Sequence, residues 1–343
     1  MIMTADAGRS RTKAWAIVLA GGGGSRLKGC TVDSAGHHVP KQFCIVDGTR
    51  TLLQLAIARA ERLVGREQVV VVVSSQHRKW WVPQLTGILP HGNVVIQPLS
   101  RGTAVGVLLP LLEVLARDPD ANLVLLPADH YFRDEARLES VIRATLEHTR
   151  ENPFTAVLVG IEPESATSDF GYIVPRTASG DSPRKVVSFV EKPASDTARA
   201  LIARGALWNT MILATSGRYL LRTIRDRFPH STSALRVAMA SAGDPECLER
   251  ALMAIYPSLT TIDLSHDVLQ CSDCSLAVAT ATDVGWMELG TPDRVARFWD
   301  EIHPTIMGRK TSKELLPSDT PSLAGIGAGS GKIQLGPPAL GLS

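Results

Sequence analysis

Residues 14–27 read AWAIVLAGGGGSRL, so seven apolar residues run directly into four glycines, a serine and an arginine. An apolar run of this length before a glycine-rich turn is typical of a buried strand that opens into a loop. A secretory signal is the weaker interpretation, because the run is short and no small-residue cleavage site follows it. The stretch therefore predicts the first central strand of an α/β sheet.

The same alternation of apolar runs and helical patterns continues along the chain. Apolar runs predict further strands at residues 68–74, 93–98, 122–129, 155–163, 170–175, 185–193, 207–215, 259–265 and 275–282. Apolar residues at three- and four-residue spacing predict helices at residues 51–64, 104–118, 134–149, 217–228 and 291–303. The expected fold class is α/β, with a doubly wound, Rossmann-like, mixed but mainly parallel sheet. Within it, residues 170–175 and 185–193 are expected to form a short antiparallel pair.

Composition excludes several classes of partner. The 343 residues are 44% hydrophobic and 20% charged, with a formal net charge of +2 when histidine is neutral. This balance is typical of a globular protein and gives no reason to expect nucleic acid or a membrane as partner. No apolar run is long enough to span a bilayer, so we expect a cytoplasmic protein. The five cysteines are odd in number and irregularly spaced, which argues against a disulfide framework; the role of Cys271 and Cys274 stays open.

The glycine run matches neither of the two common phosphate loops. In no frame does it fit G-x-G-x-x-G, the fingerprint of dinucleotide-binding loops. It comes close to a P-loop, but Cys30 stands where that loop requires a lysine for the β- and γ-phosphates. A third kind of anion loop fits better, with backbone N–H groups facing a phosphate and Arg26 and Lys28 or Lys41 adding charge. A solvent-exposed flexible turn would explain the glycines but not the cations that follow them.

A series of motifs in a fixed order gives the chain a family resemblance. After LAGGGGSRL and VPKQF come QPLSRGTA (97–104), LLPADHYF (125–132), FGYI (170–173), FVEKP (189–193), LWNTMI (207–212) and DVGWMELGTP (283–292). Together they resemble the sugar-1-phosphate nucleotidylyltransferases, and PKQF is similar to the mannose-1-phosphate guanylyltransferase branch. Each motif alone is weak, whereas the ordered set is specific. The resemblance implies the nucleotide-diphospho-sugar transferase type of fold, with a small antiparallel subdomain on the sugar side.

The resemblance also implies a division of the chain. Residues 1–13 are expected to be an N-terminal extension and residues 14–303 the nucleotidyltransferase domain. Within that domain, residues 14–150 would mainly bind nucleotide and residues 151–303 mainly sugar phosphate. Residues 304–343 are rich in glycine, serine and proline and are expected to form a disordered tail.

The implied reaction is the attack of a sugar-1-phosphate oxygen on the α-phosphorus of a nucleoside triphosphate, with release of pyrophosphate. Such a displacement needs positioning and neutralisation of charge more than covalent protein chemistry. The resemblance assigns catalytic roles to Arg26, Lys41 and Lys192. It assigns nucleotide binding to Leu19, Ala20, Gly21, Gly22, Gly24, Ser25, Gln97, Gly102 and Thr103. It assigns sugar-phosphate binding to Gly171, Glu191, Lys192, Asn209 and Thr210.

Two aspartates are the predicted ligands of a Mg²⁺ cofactor. Asp129 ends one apolar strand and Asp283 follows another. A carboxylate at the end of a buried strand is costly unless something pairs with it, and Mg²⁺ prefers a few carboxylates together with substrate phosphates. The family's matching positions bind Mg²⁺ near the α-phosphate. The alternative for either residue is an ordinary helix cap or turn.

Three departures from the family pattern leave the substrates open. The spacer between Arg26 and Lys41 is unusual, Met211 stands where glycine is common, and Gln270 stands where an acid is common. The first hypothesis is GTP and mannose 1-phosphate giving GDP-mannose. The alternatives are the same chemistry with another nucleotide or hexose phosphate, or a non-catalytic nucleotide-sugar-binding regulatory protein. A homodimer is left open, because the sequence does not determine the oligomeric state.

Overall fold

A computed structural model describes residues 13–24, 27, 31–33, 36–90, 92–177, 183–271 and 274–302, together with the backbone of residues 333–334. The described strands are β1 (Ala14–Ala20), β2 (Thr31–Val32), β3 (Val69–Ser74), β4 (Val94–Gln97), β5 (Asn122–Pro127), β6 (His130–Phe132), β7 (Ala156–Ile161), β8 (Tyr172–Pro175), β9 (Arg184–Val190), β10 (Leu207–Ser216), β11 (Leu276–Thr280), β12 (Trp286–Glu288) and β13 (Ile333–Gln334). The described α-helices are α1 (Leu52–Val64), α2 (Arg78–Leu85), α3 (Gly102–Arg117), α4 (Glu135–Glu151), α5 (Ser195–Ala203), α6 (Gly217–Arg227), α7 (Pro229–Ser241), α8 (Pro245–Ile255) and α9 (Pro292–Ile302).

Nine of the described strands form one sheet in the order β4-β3-β1-β5-β10-β7-β11-β9-β8. The pairs β3–β4, β1–β3, β1–β5 and β7–β11 are parallel, and β10 runs antiparallel to both β5 and β7. The predicted mixed, mainly parallel sheet is thereby confirmed. Strands β8 and β9 are antiparallel as expected, and β8 also pairs with β10, so they continue the main sheet. Because parallel strands share a carboxyl edge, the loops after β1, β4, β5, β7 and β11 open on the same side.

Helices cover both faces of this sheet, as the near-continuous apolar strands predict. Along β1, Ala16 and Val18 face one hydrophobic cluster while Trp15 and Ile17 face the other, because successive strand side chains point to opposite faces. Side chains of α1 and α4 belong to the first cluster, and side chains of α3 and α6 belong to the second. The loops of the carboxyl edge therefore project from a rigid three-layer core.

One predicted strand, residues 259–265, is wrong. Its middle residue, Ile262, lies against the start of α3, where its N–H donates to Arg101 O and its carbonyl accepts from Ala104 N–H, both at 3.0 Å. A π-helical turn, Leu264–Leu269, follows. The apolar residues are buried, as in a strand, but their backbone bonds to a helix terminus. Gly102 permits this contact: its φ is +82°, and a Cβ there would lie 2.1 Å from Ile262 O.

Four helices have no counterpart among the helices predicted from the sequence, namely α2, α5, α7 and α8. The two strands of the antiparallel ribbon β6–β12 lie within the motifs LLPADHYF and DVGWMELGTP. The final helix begins as its sequence indicates, with Pro292 at its first position and Thr291 Oγ1 accepting from Arg294 N–H at 3.4 Å. Among the described helices, none has the length and apolar character needed to cross a membrane. The predicted extension and tail lie outside the described residues, apart from Lys13 and the strand β13, which pairs in parallel with β2.

Candidate active site

The glycine loop leaves the carboxyl end of β1, next to the end of β5, and Ala128 N–H donates to Leu19 O at 3.1 Å. Gly22 and Gly23 are exposed, and a Cβ on either would meet nothing within 4 Å. Gly24 has a φ of +59°, and a Cβ there would lie 3.4 Å from the backbone nitrogen of Lys41. The loop therefore has open space on one side and the PKQF segment beside it. The predicted site residues Ser25 and Arg26 lie outside the described residues.

Gln97 lies under the first glycine of this loop. It ends β4 and is buried, and a Cβ on Gly21 would lie only 2.1 Å from its Nε2. Within the part of the chain that the structure describes, its Oε1 has no hydrogen-bond partner. A buried acceptor without a partner carries a desolvation cost, which a ligand N–H would remove. Gln97 thus lies beside the glycine loop with a buried, unpaired acceptor, and its contact with the nucleotide stays a prediction.

Two further residues assigned to nucleotide binding, Gly102 and Thr103, contact the segment 262–264. Thr103 Oγ1 accepts from Leu264 N–H at 2.7 Å and donates to Asp263 Oδ2 at 3.3 Å. Thr103 is not the N-cap of α3, a position that Arg101 occupies. These contacts give Gly102 and Thr103 a structural role. Their contact with a nucleotide stays a prediction.

A charge cluster lies next to the glycine loop, and we define it as Lys41, Asp129 and Glu288; Lys41 and Glu288 are buried, whereas the Asp129 side chain is 32% exposed. The Lys41 Nζ lies 3.0 Å from Asp129 Oδ2 and 2.7 Å from Glu288 Oε1. Asp129 follows β5, whereas Glu288 arrives on β12, whose antiparallel register sets it opposite His130 on β6. Arg294 Nη1 holds the second Glu288 oxygen at 3.1 Å. Two remote parts of the chain thus bring two carboxylates to one ammonium.

Burial and charge oppose each other in this cluster, and charge prevails at all three groups. For Lys41, burial disfavours the charged form, but the Asp129 and Glu288 carboxylates outweigh it and raise the pKa. For Asp129 and Glu288, burial would raise the pKa, yet the charge of Lys41 and the hydrogen bond from it lower the pKa at both carboxyls. All three groups are therefore charged at neutral pH, as a buried ion pair requires if it is to persist.

His130 is held in one tautomer beside the cluster. Trp286 Nε1 lies 3.2 Å from His130 Nδ1, and because the indole N–H can only donate, Nδ1 must accept. The proton of the neutral ring is then on Nε2, which faces Asp129 Oδ1 at 3.7 Å. Burial lowers the pKa of His130, which favours this neutral form. The arrangement gives His130 a structural role and leaves no ring lone pair for a metal.

The structure does not bring Asp283 to Asp129, which corrects the predicted metal pair. The Asp283 side chain is 83% exposed and bonds to Arg137 Nη1 at 2.9 Å. The ribbon register pairs His130 with Glu288 and Phe132 with Trp286, so Asp129 and Asp283 leave the ribbon at opposite ends. Instead, ligand atoms of Asp129, His130 and Glu288 lie within 4.8 Å of one another.

The missed residue, Glu288, belongs to the same quoted motif as Asp283. Sequence reasoning selected the first acid of DVGWMELGTP, whereas the geometry selects the second. One signal was present in the sequence: the glycine two residues after Glu288. A Cβ on Gly290 would lie 2.2 Å from Glu288 Oε2, so this glycine leaves room for the carboxylate.

The predicted sugar-side residues Gly171, Glu191 and Asn209 come together. Asn209 N–H donates to Gly171 O at 2.8 Å, and a Cβ on Gly171 would lie 2.5 Å from Glu191 Oε2. Strand β9 ends at Val190, and Lys192 has a φ of +46°, so the chain turns and brings Lys192 Nζ to 3.0 Å from Glu191 Oε1. The side chains of two sequence neighbours thereby meet, because the strand ends before them and Pro193 follows directly. Burial raises the pKa of Glu191 despite the nearby lysine.

Thr210 is the sugar-side residue whose side chain points elsewhere. Its hydroxyl is buried and donates to Val159 O at 2.7 Å, so only its backbone remains for a ligand. The next residue, Met211, has a φ of +61°, and its N–H donates to Asn209 Oδ1 at 3.0 Å. Trp208 is buried and packs against Phe170, with ring centroids 4.8 Å apart, so it fills space in the core.

Comparisons with known proteins agree with this geometry. A family model described as nucleotidyl transferase matches residues 15–303. The chain is similar to a mannose-1-phosphate guanylyltransferase of Escherichia coli (strain K12), with 29% identity over 305 residues, 82% of this chain and 59% of that protein. It is also similar to a protein of the same name from Salmonella muenchen, with 31% identity over 293 residues, 83% of this chain and 58% of that protein. The chain thus spans less than three fifths of the length of these relatives.

Among solved structures, one from Thermus thermophilus, described as a mannose-1-phosphate geranyltransferase, resembles this chain with a TM-score of 0.71 and 27% identity. That match covers 84% of this chain and 79% of the other. The fold similarity therefore extends over most of this chain.

Proposed function

The chain belongs to the nucleotidyl transferase family, and from that premise we propose that it transfers a nucleotidyl group from a nucleoside triphosphate to a hexose 1-phosphate, releasing pyrophosphate. The observation that carries the proposal is the charge cluster, because two carboxylates and an ammonium are concentrated beside an open glycine loop. Two of the three charges, on Lys41 and Glu288, are buried and costly to maintain, and such sites are where fixed charges stabilise phosphoryl transfer.

Within this function, the nucleotide half holds the triphosphate. The glycine loop presents backbone N–H groups, and Arg26 and Lys41 neutralise phosphate charge. On the sugar half, Lys192 contacts the sugar phosphate, Glu191 accepts hydrogen bonds from sugar hydroxyls, and Asn209 adds an amide. The attacking phosphate oxygen is already ionised, so the chemistry needs no general base. The protein instead aligns the two substrates and stabilises the charge that develops on the leaving pyrophosphate.

The cluster also fits a magnesium ion. Asp129 and Glu288 offer the hard carboxylate oxygens that Mg²⁺ prefers, whereas the bond from Trp286 removes His130 as a ligand. Lys41 contacts one oxygen of each carboxylate, so a positive charge at this pair is consistent with the geometry. Mg²⁺ bound by Asp129 and Glu288 would supply neutralising charge at the α-phosphate.

The preferred substrates are GTP and mannose 1-phosphate, giving GDP-mannose. Two relatives of this chain are named mannose-1-phosphate guanylyltransferases. The Gln97 amide adds a chemical reason: its free Oε1 accepts an N–H while its Nε2 donates to a carbonyl, which matches the N1–H and O6 edge of guanine. Uracil and thymine present the same pair of groups at N3–H and O4. For that reason the same chemistry with UTP or dTTP is the second candidate.

A pyrophosphate-release assay tests the proposal. Purified protein with Mg²⁺ is offered GTP, ATP, UTP, dTTP and CTP, each with mannose 1-phosphate and with glucose 1-phosphate. We expect the highest kcat/KM for GTP with mannose 1-phosphate. Release confined to dTTP and glucose 1-phosphate would remove the GDP-mannose assignment and keep the reaction class. An absence of release from every pair would refute the enzyme hypothesis in favour of a nucleotide-sugar-binding regulatory protein.

A further inference from the structure

The carbonyl groups of the glycine loop are held from one side by two side chains of the following segment. Gln42 Nε2 donates to Ala20 O at 3.0 Å and to Gly22 O at 2.8 Å. His38 Nε2 lies 3.2 Å from Gly23 O. Of these three bonds, the one to Ala20 O is buried, the one to Gly22 O is partly buried and the one from His38 is exposed.

Holding the carbonyls determines where the N–H groups point. Within one planar trans peptide unit, the C=O and the N–H point in opposite directions. When the carbonyls of residues 20, 22 and 23 face Gln42 and His38, the N–H groups of Gly21, Gly23 and Gly24 face away from those side chains. Gly22 and Gly23 have only open space around their Cβ positions. The loop is thus turned so that its donors face the open side.

His38 owes its position to the unusual spacer. Val32 and His38 form an antiparallel bridge, and Val39 N–H donates to Thr31 O at 2.9 Å. Asp33 closes the turn of this small hairpin by accepting from His37 N–H at 2.8 Å. The second His38 nitrogen, Nδ1, lies 3.2 Å from Thr31 O and 3.3 Å from its Oγ1. With Nε2–H donating to Gly23 O, Nδ1 lies beside the Thr31 hydroxyl, so the ring is held between the hairpin and the glycine loop.

We propose that His38, together with Gln42, is a positioning residue for the triphosphate. By fixing the loop carbonyls, the two side chains present the N–H groups of Gly21, Gly23 and Gly24 to phosphate oxygens. Neither side chain touches the substrate itself. The inference rests on the proposed function for the identity of the ligand, and it assigns a role to the spacer that separates Arg26 from Lys41. Backbone donors fixed before the ligand arrives bind an anion without an ordering cost.

The test compares His38→Ala with His37→Ala. His37 is the adjacent, exposed histidine, and its ring contacts Asp33 and not the loop. For His38→Ala we expect the KM for the nucleotide to rise about five- to tenfold, the magnitude of one lost hydrogen bond. The kcat, the KM for the sugar phosphate and the melting temperature stay near the wild-type values. His38→Gln, which keeps a donor, recovers part of the affinity, and His37→Ala behaves as wild type.

Calorimetric titration of GTP without sugar phosphate separates this inference from the proposed function. If the wild type releases no pyrophosphate but binds GTP, and His38→Ala alone weakens that binding, the inference holds and the enzymatic function fails. If the enzyme is active and His38→Ala leaves the nucleotide KM unchanged, the inference is wrong. An equal rise in both KM values together with a fall in melting temperature would also overturn it, since His38 would then only support the hairpin. A wild-type protein that binds no nucleotide overturns both.

Discussion

Charged side chains pair at both ends of the β6–β12 ribbon, and the two groups of charges differ in their exposure to solvent. At one end Lys41 lies between Asp129 and Glu288 and is only 8% exposed. At the other end Asp283 pairs with Arg137 and its side chain is 83% exposed. Both ends carry an acid that follows an apolar strand in the sequence. The surroundings of a carboxylate, more than its place after a strand, therefore distinguish the candidate metal ligand from a surface acid.

The physical reason lies in the solvent. An exposed ion pair is screened by water and contributes about 0–1 kcal/mol to the free energy of unfolding. A buried charge that loses its partner has no such screening, and breaking a buried pair costs about 3–5 kcal/mol. Only the buried end can hold a fixed electrostatic field for a reaction. Variants at the two ends should therefore differ in whether they lower activity and in how far they lower the free energy of unfolding.

The largest contrast is expected between Asp129→Asn and Asp283→Asn. Asparagine keeps the size of the side chain and removes its charge. Because Asp129 is proposed both to hold the metal and to pair with Lys41, its loss should lower kcat by about a thousandfold. Asp283→Asn should stay within about twofold of wild type in a pyrophosphate-release assay. Near-normal turnover in Asp129→Asn would refute its metal role, and a large loss in Asp283→Asn would restore the predicted pairing of the two aspartates.

The next contrast removes the cation from each end, with Lys41→Met and Arg137→Met. Without Lys41, two ionised carboxylates remain close together, so we expect the free energy of unfolding at pH 7 to fall by about 3 kcal/mol. Arg137→Met should lose no more than about 1 kcal/mol, because Asp283 stays in water. Chemical denaturation of both variants measures the difference. Equal losses would show that burial does not distinguish the two ends.

The pH dependence of the Lys41 contrast has a definite sign. In the wild type, the pKa values of Asp129 and Glu288 are lowered, so their stabilising contribution exists above the unfolded-state pKa values and is lost as the pH falls through the folded ones. The raised pKa of Lys41 adds a contribution that disappears only as the pH rises through that pKa. In Lys41→Met, protonation of the carboxylates relieves their repulsion. The stability difference should therefore shrink as the pH falls below neutrality, and a constant difference would contradict the coupling.

A third contrast concerns the metal, with Glu288→Gln against Asp283→Asn. Loss of one of two proposed carboxylate ligands should raise the Mg²⁺ concentration for half-maximal activity by roughly 10- to 100-fold, by analogy with the effect of second-shell ligand changes. Calorimetric titration with Mg²⁺ alone gives a readout that does not depend on turnover. Asp283→Asn should leave both values unchanged. An unchanged Mg²⁺ requirement in Glu288→Gln would leave Asp129 as the sole proposed protein ligand.

Sequence reasoning predicted what local patterns determine. The strand β1 and the antiparallel pairing of β8 with β9 follow from apolar runs and turn signals. The meeting of Glu191 and Lys192 follows from a proline that ends β9. Neither the choice of Glu288 over Asp283 nor the contact of His38 with the glycine loop follows from such patterns. The first depends on the register between β6 and β12, two strands that lie far apart in the sequence. The second depends on the path of a small hairpin in a spacer of irregular sequence.

The same limit explains the strand that was wrong. The three apolar residues of the segment 259–265, Leu259, Ile262 and Leu264, are buried, and burial alone does not distinguish a strand from a segment packed against a helix terminus. The deciding feature is Gly102, far away in the sequence, whose missing Cβ lets the segment approach. Only the three-dimensional neighbourhood shows which backbone groups the segment bonds.

The smallest effect is expected at the exposed end, where backbone conformation should matter more than charge. Asp283 has a φ of +55°, a region that alanine tolerates poorly and glycine adopts without strain. Asp283→Ala should lower the free energy of unfolding by about 1 kcal/mol, because it keeps the strain and loses the side chain. Asp283→Gly also loses the bond to Arg137 but relieves the strain, so it should stay within about 0.5 kcal/mol of wild type. Equal losses in the two variants, measured by urea denaturation, would mean that the exposed ion pair outweighs the backbone and that the two ends of the ribbon are less different than their exposure indicates.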